Sequence, residues 1–320
     1  MPRTLIRKNP SNFKTLPILV EATPEGLSYQ SVGMPLNFSQ TLQRRRRIEV
    51  EDSERFSTEL ANLGVSVRLT LSWQNRDYWV LVRQHRQDRG DVVLKLISGY
   101  VPAHEVNLPL HTAIQEVAEE CLIETPQGWL TGRFNDTWLP APYAAALHYR
   151  ESLPFNLSPL SGAARPVRCG SLILIERPRA YVHLPTASLQ LVYDLRLEVP
   201  KDARPLSLFH VDETLEKEHL VARLNRSRPD LYLMPLDNGK PLPELYTLKR
   251  DKLLPVSTRG LYLAESFADQ EGWVVREERI RWKDWLARQG LVQPKSKSSL
   301  KRLTTHARGL LRMARKRLRS

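Results

Sequence analysis

The chain has 320 residues, with 48 Lys or Arg against 35 Asp or Glu, and a formal net charge of +13. Its length and an apolar fraction of 41% predict a soluble globular protein with a sizeable core. No apolar run is long enough to span a bilayer, and two cysteines without metal-type spacing argue against a disulfide framework or a zinc site. The first 22 residues lack the apolar centre of a secretory signal, so we expect a cytoplasmic protein.

The elements predicted over the first hundred residues or so are mainly strands. Residues 1–62 carry scattered prolines and short apolar runs, which predicts an N-terminal extension of strands and loops. Alternation from Val65 to Trp73 predicts a half-buried strand, and Gln74 to Asp77 a turn. Further strands are predicted at Tyr78 to Arg83 and at Val92 to Ile97.

An acidic helix follows. Glu116, Glu119 and Glu120 fall on one turn of a helix predicted from Gln115 to Cys121, while Ile114, Val117 and Cys121 lie on its opposite side. Like charges at this spacing repel, and a hard divalent cation would offset the repulsion. A solvated acidic face is the alternative.

The second half of the chain is less regular. Residues 136–185 are rich in Pro and predict a long insertion, of the kind that shapes a substrate pocket. Leu189 to Leu197 alternate as a strand, and Glu277 to Gln289 predict a helix with Ile280 and Trp285 available for packing. No Gly-x-x-x-x-Gly-Lys-Ser/Thr loop occurs, which argues against a P-loop nucleotidase.

Positive charge is concentrated at the C-terminal end. Lys295 to Ser320 contain ten Lys or Arg and no acid, and subtracting these ten from +13 leaves +3 for the rest. A Ser/Lys-rich linker precedes a predicted basic amphipathic helix with an apolar stripe: Leu300, Leu303, Ala307, Leu310, Leu311, Ala314 and Leu318. The stripe could pack on the body, lie on an anionic membrane surface as a peripheral anchor, or dock in a protein partner. Nucleic acid is less favoured because the tail has no aromatic residue for stacking.

The stretch from Gly99 to Ile123 resembles the box of the Nudix hydrolases. That signature is Gly, five residues, Glu, seven residues, then Arg-Glu-aliphatic-x-Glu-Glu-x-Gly-aliphatic. Gly99 and Glu105 stand at the family spacing, and Glu116, Val117, Glu119, Glu120 and Ile123 fit the helix pattern. The loop after Glu105 is two residues longer, Gln115 replaces the Arg, and Leu122 replaces the Gly.

The resemblance implies an α/β fold, a Nudix-like mixed sheet sandwiched by helices. It divides the chain into the strand-rich extension 1–62, a Nudix-like domain 63–290 with the insertion around 136–185, and a linker with the basic C-terminal helix, 291–320.

The activity implied by the resemblance is hydrolysis of a phosphoanhydride in a nucleoside diphosphate derivative, assisted by Mg²⁺ or Mn²⁺. Glu116, Glu119 and Glu120 would hold the metal, with Gly99 giving a backbone carbonyl or a close approach. The resemblance does not fix the catalytic base: Glu120, Glu105 or a late acid such as Glu265 could serve. Glu105 could instead brace the loop or be an ordinary exposed acid. Phosphate contacts could come from one imidazole and three guanidinium groups: His104, Arg133, Arg165 and Arg168.

A second interpretation stays open. Loss of the Arg and Gly from the box favours a catalytically inactive protein of the Nudix fold that binds a nucleotide or a partner and is localised by its basic tail. The complete glutamate set favours the enzyme, because without a cation nothing compensates the repulsion.

Overall fold

The computed structural model describes residues 2–8, 13–86, 90–160, 162, 165–216 and 219–291. These residues contain three α-helices: α1 (Phe38–Arg44), α2 (Pro109–Glu120) and α3 (Trp282–Arg288). The predicted basic tail helix lies outside the described residues.

Strands make up most of the described chain. In chain order they begin with β1 (Arg3–Lys8), β2 (Lys14–Thr15), β3 (Ile18–Thr23), β4 (Gly26–Ser31), β5 (Leu36–Asn37), β6 (Phe56–Leu60), β7 (Asn62–Trp73), β8 (Arg76–Arg86), β9 (Asp91–Lys95), β10 (Ile97–Tyr100), β11 (Cys121–Thr125), β12 (Gly128–Phe134), β13 (Thr137–Trp138) and β14 (Tyr149–Pro159). They continue with β15 (Val167–Cys169), β16 (Leu172–Ile173), β17 (Arg179–His183), β18 (Ser188–Glu198), β19 (Ser207–Glu216), β20 (His219–Leu224), β21 (Leu231–Asp237), β22 (Lys240–Pro241), β23 (Tyr246–Lys249), β24 (Lys252–Pro255), β25 (Tyr262–Ala264), β26 (Val274–Val275) and β27 (Arg279–Arg281).

Twenty of these strands are linked by pairing into one mixed sheet. Its centre is β7, which pairs in parallel with β18 from Asn62↔Ser188 to Ser72↔Glu198, and antiparallel with β8 and β10. A separate five-stranded sheet has the order β16-β15-β4-β3-β6, and β2 pairs with β5.

The predicted α/β fold, with a mixed sheet sandwiched by helices, is wrong. The described residues are mostly β, and their three α-helices are 7, 12 and 7 residues long. A sandwich needs helices along both faces of the sheet, and three such short helices cannot supply them. The difference arises from strands that local alternation did not predict. They include long strands such as β14 and β19, of 11 and 10 residues, as well as strands of two or three residues, which are too short to show an alternation.

Several individual elements were predicted correctly. The strands from Val65 and from Leu189 are β7 and β18, and a two-residue turn joins β7 to β8 at Gln74 and Asn75, both with positive φ. However, β7 is buried on both faces over most of its length, rather than half-buried. The helix predicted over Glu277 to Gln289 begins only at Trp282, because Arg279–Arg281 pair with β25.

The chain divides into two compact units, Met1–Trp282 and Lys283–Ser320. The core of the first unit contains the apolar residues of β7 and β18 together with Ala113, Ile114 and Val117 of α2. Of the second unit the structure describes residues 283–291, which hold the rest of α3.

Candidate functional site

Helix α2 positions the three glutamates predicted to form a site. Pro109 opens the helix, where its missing N–H costs nothing, and Cys121 ends it by starting β11. Ile114, Val117 and Cys121 are buried as predicted, although Cys121 belongs to the strand. The helix packs against β7, β10, β11 and β19.

The carboxylate of Glu116 lies directly against the backbone of Gly99. A Cβ atom at Gly99 would stand 1.7 Å from Glu116 Oε1 and 2.1 Å from its Cδ. Gly99 lies in β10, paired with Val65 of β7, so its backbone position is fixed on the other side. Only glycine leaves room for Glu116 in this position.

Lys95 is the cation closest to Glu120. Its Nζ lies 3.2 Å from Glu120 Oε1 and also donates to the carbonyl oxygen and the hydroxyl of Ser98, at 3.1 and 3.0 Å. The second oxygen of Glu120, Oε2, is buried and has no hydrogen-bond partner among the described residues. A buried carboxylate oxygen without a partner is costly, so this atom marks a position where a further donor or a cation would be accommodated.

A fourth carboxylate, Glu213 of β19, joins the cluster. The Tyr143 hydroxyl lies 3.2 Å from the backbone oxygen of Glu119 and 3.4 Å from Glu213 Oε1, so it bridges the helix and the strand. On the same strand, His210 Nδ1 lies 3.3 Å from the backbone oxygen of Glu120. Burial, followed by the charge of Lys95, lowers the pKa of His210 to about 4. His210 is therefore neutral at pH 7 and contributes no positive charge.

Burial raises the pKa of every carboxyl group in the cluster, and repulsion by neighbouring carboxylates adds to this for Glu116, Glu119 and Glu213. Burial is the largest cause for each group. The charge of Glu213 is the second cause for Glu119, whose pKa rises to about 7. The charges of Glu120 and Glu119 add to burial in raising the pKa of Glu116 well above its usual range. The pKa values of Glu120 and Glu213 are also raised. Lys95 and Lys8 act in the opposite direction. Four carboxylates face two lysines, so the cluster retains protons or attracts a cation.

Glu105 contacts the beginning of α2. It is buried, its Oε2 accepts a 2.6 Å hydrogen bond from the Thr112 hydroxyl, and its Oε1 lies 2.9 Å from His111 Nδ1. Gln115, which replaces the signature Arg, places its Nε2 at 3.4 Å from His111 Nε2. Glu105 is thus hydrogen-bonded to the first turns of the helix, and Gln115 contacts His111.

The four candidate phosphate contacts have separate environments. His104 is exposed and its Nε2 lies 3.6 Å from Glu105 Oε1. Arg133 bonds the backbone oxygen of Asp136 and stacks on Trp138. Arg165 is held by Glu54 at 2.6 Å and by the face of Trp273, and Arg168 is exposed on β15. These contacts do not bring the three arginines to the carboxylate cluster.

Sequence reasoning did not identify Lys95, Glu213, Tyr143 or His210. Lys95 had a recognisable signal, since it is a lone cation in the apolar run Val92 to Ile97. The other three residues lie 20 to 90 positions after the end of the box at Ile123. The pairing of β11 with β19 brings His210 and Glu213 of β19 beside α2.

A cavity of about 250 Å³ is lined by residues 47–51 with Leu184 and Arg276. A second cavity, of about 420 Å³, is lined by residues 141 and 144–149. Neither is lined by the glutamates of α2.

Within the described ranges, no three His, Cys, Asp or Glu side chains already stand in an arrangement that could hold a metal ion. No helix in the described part of the chain is long and apolar enough to cross a membrane.

Comparison with protein-family models, with curated proteins and with solved structures finds no match to this chain. The Nudix resemblance therefore depends on the residues between Gly99 and Ile123 alone.

Proposed function

We propose that the protein is a metal-dependent hydrolase that cleaves a phosphoanhydride in a nucleoside diphosphate derivative. The observation that carries this proposal is the packing of Glu116 against Gly99, in a cluster of four half-buried or buried carboxylates with too few lysines to neutralise them. Maintaining such a cluster is costly unless it binds a cation, and a diphosphate substrate needs one.

The donors fit Mg²⁺ or Mn²⁺ in chemical kind, since both ions prefer carboxylate and carbonyl oxygens. The unpartnered Glu120 Oε2 is one such oxygen. Glu116, Glu119 and Glu120, with the Gly99 carbonyl, would hold the ion, which when bound neutralises phosphate oxygens and makes a water molecule more acidic.

Within this proposal Glu120 is the preferred general base. Burial raises the pKa of Glu120, which makes it a stronger proton acceptor, and Lys95 beside it favours the ionised form that accepts a proton. Glu105, bonded to Thr112 and His111, would position the first turn of α2. His104 is exposed and, when protonated, would contact a substrate phosphate.

The second candidate is a protein that binds a nucleotide or a partner without catalysis. The ion pair of Lys95 with Glu120 favours it, because an internal ammonium group already compensates part of the charge that a metal ion would neutralise. In that case the cluster would be a structural charge network and would bind no divalent ion.

The test combines Mg²⁺ binding with hydrolysis of a panel of nucleoside diphosphate derivatives. Glu119→Gln and Glu120→Gln keep the side-chain shape but remove the charge, so we expect Mg²⁺ affinity and turnover to fall by about two orders of magnitude or more. Calorimetry would measure Mg²⁺ binding, and phosphate-product release would measure turnover.

Glu124→Gln is the matched control. Glu124 is in β11 and pairs with Arg226 at the surface, so the same chemical change there should leave both readouts unaltered. Native protein that binds no Mg²⁺ or Mn²⁺ and turns over no substrate in the panel would exclude the enzyme and favour the binding protein.

A further inference from the structure

The five-stranded sheet ends in an exposed apolar hairpin. Its strands are β15 and β16, joined by Gly170 and Ser171, and β16 is the outer strand of that sheet. Leu172, Ile173 and Ile175 are 66%, 51% and 83% exposed. Leu172 pairs with Cys169 and Ile173 with Arg168, so these two neighbouring side chains lie on opposite faces of the hairpin. The tip therefore exposes aliphatic groups on both faces, unlike the scattered single exposures normal for a protein surface.

Basic residues flank this patch. Arg168, which pairs with Ile173 across the hairpin, and Arg177 beyond Ile175 are both exposed. No carboxylate among the described residues forms an ion pair with either. Glu176, between Ile175 and Arg177, is half-buried. Exposed charge at the hairpin is thus positive around an apolar tip.

The hairpin also adjoins the loop that leads into α2. Cys169 Sγ lies 3.1 Å from Asn107 Oδ1, and the next residue of that loop, Leu108, is exposed as well.

The charge distribution distinguishes two possible occupants of this surface, a second copy of the chain and an anionic lipid membrane. A second copy of the chain docking through the same edge would present the same two arginines and no exposed carboxylate of the hairpin to pair with them. Anionic lipid headgroups would pair with these arginines while the aliphatic tip entered the boundary of the acyl chains.

From this geometry we infer that the β15–β16 hairpin docks the protein on an anionic lipid surface, with Leu172, Ile173 and Ile175 inserted and Arg168 and Arg177 contacting headgroup phosphates. The inference does not depend on the proposed hydrolysis or on the C-terminal tail.

The first experiment measures co-sedimentation of the full chain with vesicles of phosphatidylcholine, with and without phosphatidylserine. The triple variant Leu172→Ser, Ile173→Ser, Ile175→Ser should bind mixed vesicles at least about tenfold more weakly. Arg168→Gln and Arg177→Gln should each weaken binding about fivefold, and only on vesicles that contain phosphatidylserine. The control is Leu254→Ser, an aliphatic residue that is 43% exposed elsewhere, which should bind as the native chain does.

A second measurement does not depend on how the triple variant folds. Both native cysteines are buried, so a Ser171→Cys variant can be labelled selectively with an environment-sensitive fluorophore. Its emission should shift to the blue on mixed vesicles, whereas the same label at Met34→Cys should not respond.

Vesicle binding by the triple variant equal to that of the native chain, or an unchanged emission at position 171, would overturn the inference. A native dimer that the triple variant converts to a monomer, without loss of vesicle binding, would overturn it in favour of a second copy as the occupant.

Discussion

A side chain at Gly99 would collide with the carboxylate of Glu116, which occupies the space beside it. We expect Gly99→Ala to destabilise the fold by about 1–3 kcal/mol, because the new methyl group must displace the carboxylate or the strand. Urea unfolding would measure the change. The double variant Gly99→Ala, Glu116→Ala removes the obstacle and should recover most of the loss. If the single and double variants are equally unstable, the contact between these two residues is not the cause.

The raised pKa of Glu119 makes stability depend on pH. Its carboxyl group holds a proton more tightly in the folded chain, with a pKa of about 7 against an ordinary value of 4.5. This contribution to the free energy of unfolding is full below about pH 4.5 and is lost as pH rises through about 7, by at most about 3 kcal/mol.

The comparison with Glu119→Gln isolates this effect from other titrating groups. Thermal unfolding of both proteins from about pH 4 to about pH 8 should show the native protein losing stability relative to the variant as pH rises. A difference between the two that stays constant over this range would show that Glu119 titrates normally.

At the residue scale, the sequence identified the chemistry of the cluster only in part. The box spacing predicted Gly99 and the three glutamates, because a helical turn is a local pattern. Lys95, Glu213 and Tyr143 enter the same site through strand pairing and loop placement, and no local pattern predicts which distant residues a sheet brings together.

Among the elements, α2 depends on Glu105 for its first turns. The residue before the helix, Leu108, makes no side-chain cap, whereas the buried Glu105 accepts the Thr112 hydroxyl and contacts His111. Glu105→Ala should therefore cost about 1–3 kcal/mol of stability, since two polar groups lose their acceptor.

Chemical denaturation measures this cost, with Glu124→Ala as the control. Glu124 pairs with Arg226 at the surface, where ion pairs contribute at most about 1 kcal/mol. An unchanged stability in Glu105→Ala, together with lost turnover, would instead assign Glu105 to the chemistry.

Elements with strong periodicity were predictable, and the architecture was not. The alternation in β7 and β18 marks both as strands, because the side-chain period of two persists over many residues. Strands such as β13, β16 and β26 have two residues each and no readable period. Long strands such as β14 and β19, of 11 and 10 residues, were not predicted either. The sandwich of helices was implied by the Nudix resemblance, and the fold instead pairs these unpredicted segments into sheets.

At the scale of the whole molecule, the basic tail is expected to be separable from the rest of the chain. Its residues lie outside the described structure, and its charge is segregated in the sequence. Deleting Lys295 to Ser320 should leave thermal stability and hydrolysis of a small substrate nearly unchanged, while weakening binding to anionic vesicles or to a protein partner.

Raising the salt concentration is the control for an electrostatic contribution. The Debye length falls from about 10 Å at 0.1 M to about 3 Å at 1 M, so the electrostatic part of tail binding should weaken. A substantial loss of thermal stability in the truncated protein would mean that the leucine stripe belongs to the core.

The parallel ladder of β7 with β18 has a consequence for how the protein is made. It pairs residues 126 positions apart, such as Arg68 with Asp194. At about 5–20 residues per second, a ribosome needs roughly 6–25 s to deliver the partner of β7 after β7 itself. Throughout that interval β7, which is almost entirely buried in the finished fold, has one open edge, and this makes it a target for a chaperone during synthesis.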